Sequence, residues 1–320
     1  MKLSCLITFV LLNFSAFSQP ENVQLASDIW PPFTGQQGQT AVSTDLVKEA
    51  LRRTGVTVNT SILPFQDVIT GLDKGSFDGS AALWKSPERE ENLVFSDPYL
   101  FNQLVLVGNK GSETAATSFD ELTGKKIAIV GSYDYGALRS EYIGVDFVEG
   151  QSDQQNLDRL LKGEVDFLLA DALLVHYLTE HQHEEVAKHL QIGTNSLLTL
   201  SLHFALRKDL DGSDLIVEQF NNEIRKMIAD GTYNRILELN WISADVDGDG
   251  RTEWVLNNEA GSDIPPEMGY SIAGGKASAS SGYYIDGKMY DDWNNVPENY
   301  RTRMNTPEDL EKVKVLQFNF

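Results

Sequence analysis

A chain of 320 residues with 26 Lys and Arg against 47 Asp and Glu carries a formal net charge of −21, and so much acid excludes nucleic acid or an anionic membrane surface as its partner. An apolar share of 41% supports a real core and excludes a disordered chain. The single cysteine, Cys5, excludes a disulfide framework.

Residues 1–18 combine a basic start at Lys2, the apolar run Cys5-Leu6-Ile7-Thr8-Phe9-Val10-Leu11-Leu12 and small residues at the exit. That pattern predicts a secretory signal peptide cut after Ser18, too short and wrongly flanked to anchor in a membrane. Cys5 leaves with it. The mature chain is then exported to the periplasm without a thiol for catalysis or metal binding, and its fold rests on core burial alone.

From Val23 onward the sequence alternates strand and helix. Val23-Gln24-Leu25-Ala26 reads as a strand, and the two prolines of Trp30-Pro31-Pro32-Phe33 forbid regular structure after it. Ser43 or Thr44 is placed to cap a helix with Leu46, Val47, Ala50 and Leu51 on one face and Gly55 as its stop. Residues 56–62 alternate as a strand, and the next helix carries Val68, Ile69 and Leu72 and ends at Gly75. Ser118-Phe119-Asp120-Glu121 and Ser152-Asp153-Gln154-Gln155 have capping-box spacing. Between and after them, residues 126–130 and 165–170 are apolar strands, the second ending at Asp171. Residues 202–206 read as one more strand and residues 215–229 as a long amphipathic helix. Such alternation predicts an α/β fold, a mostly parallel sheet with helices on both faces.

Several short runs recur in a telling order. Gly75-Ser76-Phe77-Asp78, Ser86-Pro87-Glu88-Arg89 and Phe95-Ser96-Asp97-Pro98-Tyr99 are joined by Trp30-Pro31-Pro32-Phe33, Leu122-Thr123-Gly124-Lys125, Gly131-Ser132, Gly163-Glu164-Val165-Asp166 and Asp230-Gly231-Thr232-Tyr233. Together they resemble the family 3 bacterial extracellular solute-binding proteins, the periplasmic receptors for polar amino acids and related solutes, over residues 23–241. The resemblance implies a two-lobe periplasmic binding protein fold of type II. Lobe one would be residues 19–107 with 196–243, lobe two residues 108–195, with hinges near Gly108-Asn109-Lys110 and Thr194-Asn195. It also implies a monomer that captures a small carboxylated solute, an amino acid or a relative, for an ABC-type membrane permease or a sensor.

A solute buried between lobes needs fixed charges opposite its own and apolar walls. Arg89 offers a planar two-pronged donor for a carboxylate, and the family resemblance gives it that role; it could instead pair with Glu88, Glu90 or Glu91 on a wet turn. Asp171 would receive the solute's amino group by the same resemblance, or simply cap the helix that follows. Trp30, Phe33 and Phe65 are candidate walls or ordinary core. Ser86, beside Arg89, joins the candidate set, as do Ser132 and Tyr133, which leave a strand end with a hydroxyl and backbone N–H groups to offer. The interval from Asp78 to Arg89 is a residue shorter than the commoner family pattern, and Trp84 stands where the family has a hydroxyl. The solute class is therefore left open between an amino acid, a small dicarboxylate, a peptide-like and an aromatic compound.

Farther on, Asp245-Val246-Asp247-Gly248-Asp249-Gly250-Arg251-Thr252-Glu253 spaces four carboxylates, at Asp245, Asp247, Asp249 and Glu253, around Gly250, with the carbonyl of Arg251 as a further donor. These crowded charges call for a cation, and the run resembles the calcium loops of FG-GAP and dockerin-type repeats. A structural calcium is expected there, and no other cofactor. Residues 244–320 form a small extension in which Tyr283-Tyr284-Ile285-Asp286-Gly287-Lys288-Met289-Tyr290 signals a hairpin and Thr306-Pro307-Glu308-Asp309 a helix start. The rival readings are a periplasmic dehydratase-like enzyme on the same fold, which would need a general acid or base in the cleft, and a calcium-dependent sensory or adhesion protein. His176, His181, His183 and His189 lack metal-ligand spacing and are expected in solvent.

Overall fold

The computed structural model describes residues 20–181, 188–230, 232–237, 241–244, 253–256, 271–272 and 282–301. The expected leader, the loop residues 245–252, His183 and the helix start at Thr306 lie outside them.

The first half of the chain builds β1 (Asn22–Ser27), α1 (Val42–Arg53), β2 (Thr57–Ile62), α2 (Phe65–Asp73), β3 (Gly79–Trp84), α3 (Pro87–Glu90), β4 (Leu93–Phe95) and β5 (Leu100–Asn109). There follow β6 (Lys126–Val130), α4 (Leu138–Glu141), β7 (Asp146–Gly150), α5 (Asp153–Leu161), β8 (Phe167–Asp171), α6 (Ala172–His181), β9 (Leu190–Ile192), β10 (Leu198–Arg207), α7 (Ser213–Ala229) and α8 (Thr232–Leu237). Ten strands make one sheet in the order β2-β1-β3-β10-β5-β8-β6-β7, with β4 on β10 and β9 on β5. Its two ends are parallel ladders, β2-β1-β3 and β8-β6-β7, as strand–helix alternation requires. Antiparallel β5 and β10 join them, making the whole sheet mixed.

β5 changes partner at Leu104, which pairs with Leu198 of β10 and with Asp171 of β8. Gly108, expected at the crossing, instead sits inside the ladder between Phe167 and Gln191, where the Ser112 side chain leaves no room for a Cβ.

Alternation along the strands explains the layers. Val23 and Leu25 of β1 join one apolar cluster with Leu46 of α1, whereas Ala26 joins a second with Val68 of α2. In the other half Leu104, Leu106 and Leu169 face one cluster and Val105, Val107 and Leu168 another. Successive residues of a strand point to opposite faces, so these runs bury both faces under helices. The first helix begins at Val42 behind Ala41, two or three residues earlier than a cap at Ser43 or Thr44 implies, which places both inside its first turn. At α5 half of the expected box forms: the Ser152 hydroxyl accepts from the N–H of Gln155 at 3.2 Å, while the Gln155 amide oxygen reaches one residue farther back, to the N–H of Gln151 at 2.7 Å.

A second, five-stranded sheet joins the extension to the residues just before it: β11 (Trp241–Ala244), β12 (Glu253–Leu256), β13 (Ser271–Ile272), β14 (Gly282–Ile285) and β15 (Lys288–Tyr290). β14 and β15 are the expected hairpin, turning at Asp286 and Gly287 with φ of 48° and 77°. Val255, Tyr283 and Val296 are buried and continuous with the main core. Glu253, the last residue of the acidic run, opens β12. Among the described residues no helix is long and apolar enough to cross a membrane.

Candidate binding cleft

The carboxyl ends of the parallel strands from both halves of the sheet converge, and the residues that follow each strand line one cleft. β1 leads to Asp28 and Trp30, β3 to Trp84, Ser86 and Arg89, β6 to Ser132, Tyr133 and Tyr135, and β8 ends on Asp171. α2 adds Phe65 and Gln66, and α5 begins with Asp153.

Arg89 is fixed by neutral acceptors. One guanidinium N–H donates to the carbonyl of Trp84 at 2.8 Å and another, across the cleft, to the carbonyl of Ser132 at 3.3 Å. The guanidinium carbon lies 5.5 Å from the centroid of the Phe65 ring, a cation–π distance. Burial pulls its pKa down, against the nearby Asp134, Glu88 and Tyr133. Ser132 adopts a left-handed backbone, φ 61°, rare for a residue with a Cβ. Its carbonyl is thereby presented to Arg89 while its hydroxyl donates to the Gln66 amide oxygen at 2.7 Å.

Beside Arg89 lies a box of rings. Tyr133 stands 4.8 Å from Phe65, 5.3 Å from Trp84 and 5.6 Å from Trp30, each steeply inclined to it, and its hydroxyl donates to Asp28 at 2.9 Å. The Trp84 indole N–H donates to the Asn102 amide oxygen at 2.7 Å, and the Asn102 amide donates to Asp171 at 2.9 Å. Burial raises the carboxyl pKa of Asp28 to about 6, with the Tyr133 hydrogen bond opposing, and burial raises that of Asp153 to about 7, with Asp28 and Asp171 adding to it. Outside the box, a cavity of about 570 Å³ opens between Gln66, Ile69, Arg89, Ser132 and Arg139.

Residues 23–243 match the model of the bacterial extracellular solute-binding proteins, family 3. The chain belongs to that family. It is 26% identical over 222 residues to the L-cystine-binding protein TcyJ of Escherichia coli (strain K12), covering 68% of this chain and 80% of that one. To the L-cystine-binding protein TcyA of Bacillus subtilis (strain 168) it is 28% identical over 209 residues, 65% of this chain and 74% of that one. Its fold is that of an ancestral arginine-binding protein solved with arginine, with a TM-score of 0.59 at 23% identity over 68% of this chain and 97% of that one. The chain is thus a solute-binding protein built on the periplasmic binding fold.

Within this solute-binding protein the expected residues divide by what their polar atoms touch. Arg89, Trp30, Phe65, Trp84, Ser132 and Tyr133 meet at the cleft. Trp84, the replacement for the family hydroxyl, is a wall of the ring box and is also buried at 6% exposure. Ser86 caps α3 by accepting from the Arg89 N–H at 3.4 Å, which leaves its O–H to donate. Asp171 is 2% exposed, with one oxygen on the Leu173 N–H at 2.7 Å and the other on the Asn102 amide. Phe33 is fully buried core. His189 is exposed as expected. Asp28, Tyr135, Asn102 and the cleft position of Asp153 were not foreseen. The signal for Asp28 was present, since it follows an apolar strand and precedes Trp30.

Proposed function

We propose that this chain captures a small carboxylated solute, an amino acid or a relative of one, between two lobes in the periplasm and delivers it to an ABC-type permease. The lobes are residues 19–107 with 196–243 and residues 108–195, residues 1–18 are the export signal, and the protein acts as a monomer. The observation that carries this reading is Arg89, a guanidinium pinned by neutral carbonyls from both sides of the cleft. Neutral acceptors orient a charge without cancelling it, so the site favours an anion such as a carboxylate. The cystine- and arginine-binding relatives support an amino acid as the class.

A thermal-shift screen of amino acids, dicarboxylates and short peptides tests the reading, because a solute that binds only the folded state raises its melting temperature. An increase with at least one carboxylated compound, absent for its amide, is expected. A flat response across the panel would reject the proposal.

The extension, residues 244–320, carries a structural calcium in the same reading, held by Asp245, Asp247, Asp249, the Arg251 carbonyl and Glu253. Support comes from the crowding of four carboxylates in nine positions and from the strands β11 and β12 that flank the run. Calcium added to chelator-treated protein is expected to raise the melting temperature, and Asp249→Asn to abolish the increase. Equal melting with and without calcium would remove the metal.

A further inference from the structure

We infer that Tyr133 is the specificity-determining residue of the cleft: its ring fills the chamber of rings between the lobes, and a solute enters that chamber only by displacing it. This rests on the solute-capture reading above.

The chamber is full. Three rings from lobe one, those of Trp30, Phe65 and Trp84, surround the Tyr133 ring from lobe two at 4.8 to 5.6 Å between centroids. What remains beside them is a void of about 10 Å³, room for a single water, whereas small-molecule sites need roughly 300 Å³ or more. The phenol also has the polar contact a solute would want, its hydroxyl on Asp28. Tyr133 thus makes, from within the chain, the contacts that would otherwise close two lobes around a ligand.

The neighbouring backbone shows which part can move. Ser132 is tied to Arg89 through its carbonyl and to Gln66 through its hydroxyl, so the main chain beside Tyr133 is held to lobe one. Rotation of the side chain alone is the smaller change. Tyr133 borders the 570 Å³ cavity as well as the void, and that cavity offers the ring a place to go. An occupant that takes over must repeat the chemistry of the phenol: an apolar or aromatic body among the rings and a hydrogen-bond donor for Asp28. Solutes without both would leave Tyr133 in place, which is how the residue sets specificity.

The energetic consequence is competition. Binding is weakened by the fraction of molecules in which the chamber is vacant, and removing the internal occupant removes that factor.

The test uses the full chain, its Tyr133→Ala and Tyr133→Phe variants, and L-arginine, L-cystine and L-tyrosine as probes. Affinity is read by calorimetry and lobe opening by small-angle scattering of solute-free protein. Wild type is expected to scatter as a closed molecule without any probe, and Tyr133→Ala to be more expanded and to bind a probe at least about tenfold more tightly. Tyr133→Phe keeps the ring and loses the Asp28 bond, so it should stay compact and gain less. If Tyr133→Ala fails to fold, by circular dichroism, the gain in Tyr133→Phe carries the test. Where wild type binds a probe and the folded variants bind it no better, the inference is overturned. If no probe binds any form, solute capture is the reading that fails; expansion of solute-free Tyr133→Ala then still supports Tyr133 as the occupant, and unchanged scattering overturns it.

Discussion

Arg89→Ala is expected to weaken solute binding by about 2–5 kcal/mol, a loss on the order of 30-fold to several-thousandfold in Kd. The magnitude follows from what the variant leaves behind, a carboxylate drawn into an apolar box of rings with no opposite charge. The fold itself should lose little, because the two bonds to Trp84 and Ser132 end on backbone carbonyls at the edge of the cleft. Melting temperature and affinity are therefore expected to separate: a small change in the first, a large one in the second. Arg89→Lys should recover only part of the affinity, since an ammonium cannot offer two parallel N–H bonds to one carboxylate. Calorimetry on both variants checks this, and an unchanged Kd in Arg89→Ala would take the carboxylate away from this residue.

Why was Arg89 legible in the sequence when Asp28 and the role of Tyr133 were not? Arg89 lies in a local device, a Ser86 cap followed by Pro87 in the first turn, and local devices leave local marks. The same holds for the alternating apolar strands, the α5 box and the Asp286-Gly287 hairpin. Tyr133 owes its place to rings from three other segments that come together only when β1, β3 and β6 end on the same side. No spacing along the chain encodes that meeting. Asp171, which the resemblance gives to the solute, carries hydrogen bonds from Leu173 and Asn102 that no local spacing announces. The Trp84 substitution accounts for part of this. Its indole N–H needs an acceptor when buried, Asn102 supplies one, and the amide of Asn102 is then turned to Asp171. The Trp84 indole, the Asn102 amide and Asp171 thus form a polar chain reaching from β3 through β5 to β8.

Acidification from pH 8 to about 6.5 is expected to stabilise the solute-free protein, and Asp153→Asn to remove most of that gain. Burial raises Asp153 to about 7 and Asp28 to about 6, both from an ordinary value of 3.8. A raised carboxyl binds its proton more readily in the folded state than in the unfolded one, so stability falls as pH rises through the folded value and is recovered as pH falls. The groups concerned are Asp28 after β1, Asp153 at the start of α5 and Asp171 at the end of β8, whose charges repel across the cleft. One pKa unit corresponds to about 1.4 kcal/mol, so Asp153 contributes on the order of 2–4 kcal/mol, an upper bound because its side chain keeps some contact with water. Below pH 6.5 the buried His203 acts in the other direction. Burial holds it down to about 4, with its bond to the Ser96 carbonyl opposing, so the unfolded chain takes up a proton that the folded one refuses. The gain should therefore slow between about pH 6.5 and 6 and then continue to about pH 4.5, because Asp28 and Asp153 together outweigh His203. It should reverse below that as carboxylates such as Glu49, held down to about 2 by its hydrogen bond from Arg52, are protonated in the unfolded chain. Thermal melts across this range distinguish the groups. In Asp153→Asn the melting temperature at pH 8 should exceed that of wild type and the two should meet only near pH 4, where the carboxyl is protonated in the unfolded chain as well. Parallel curves would mean that Asp153 is not the carboxyl that titrates in the cleft.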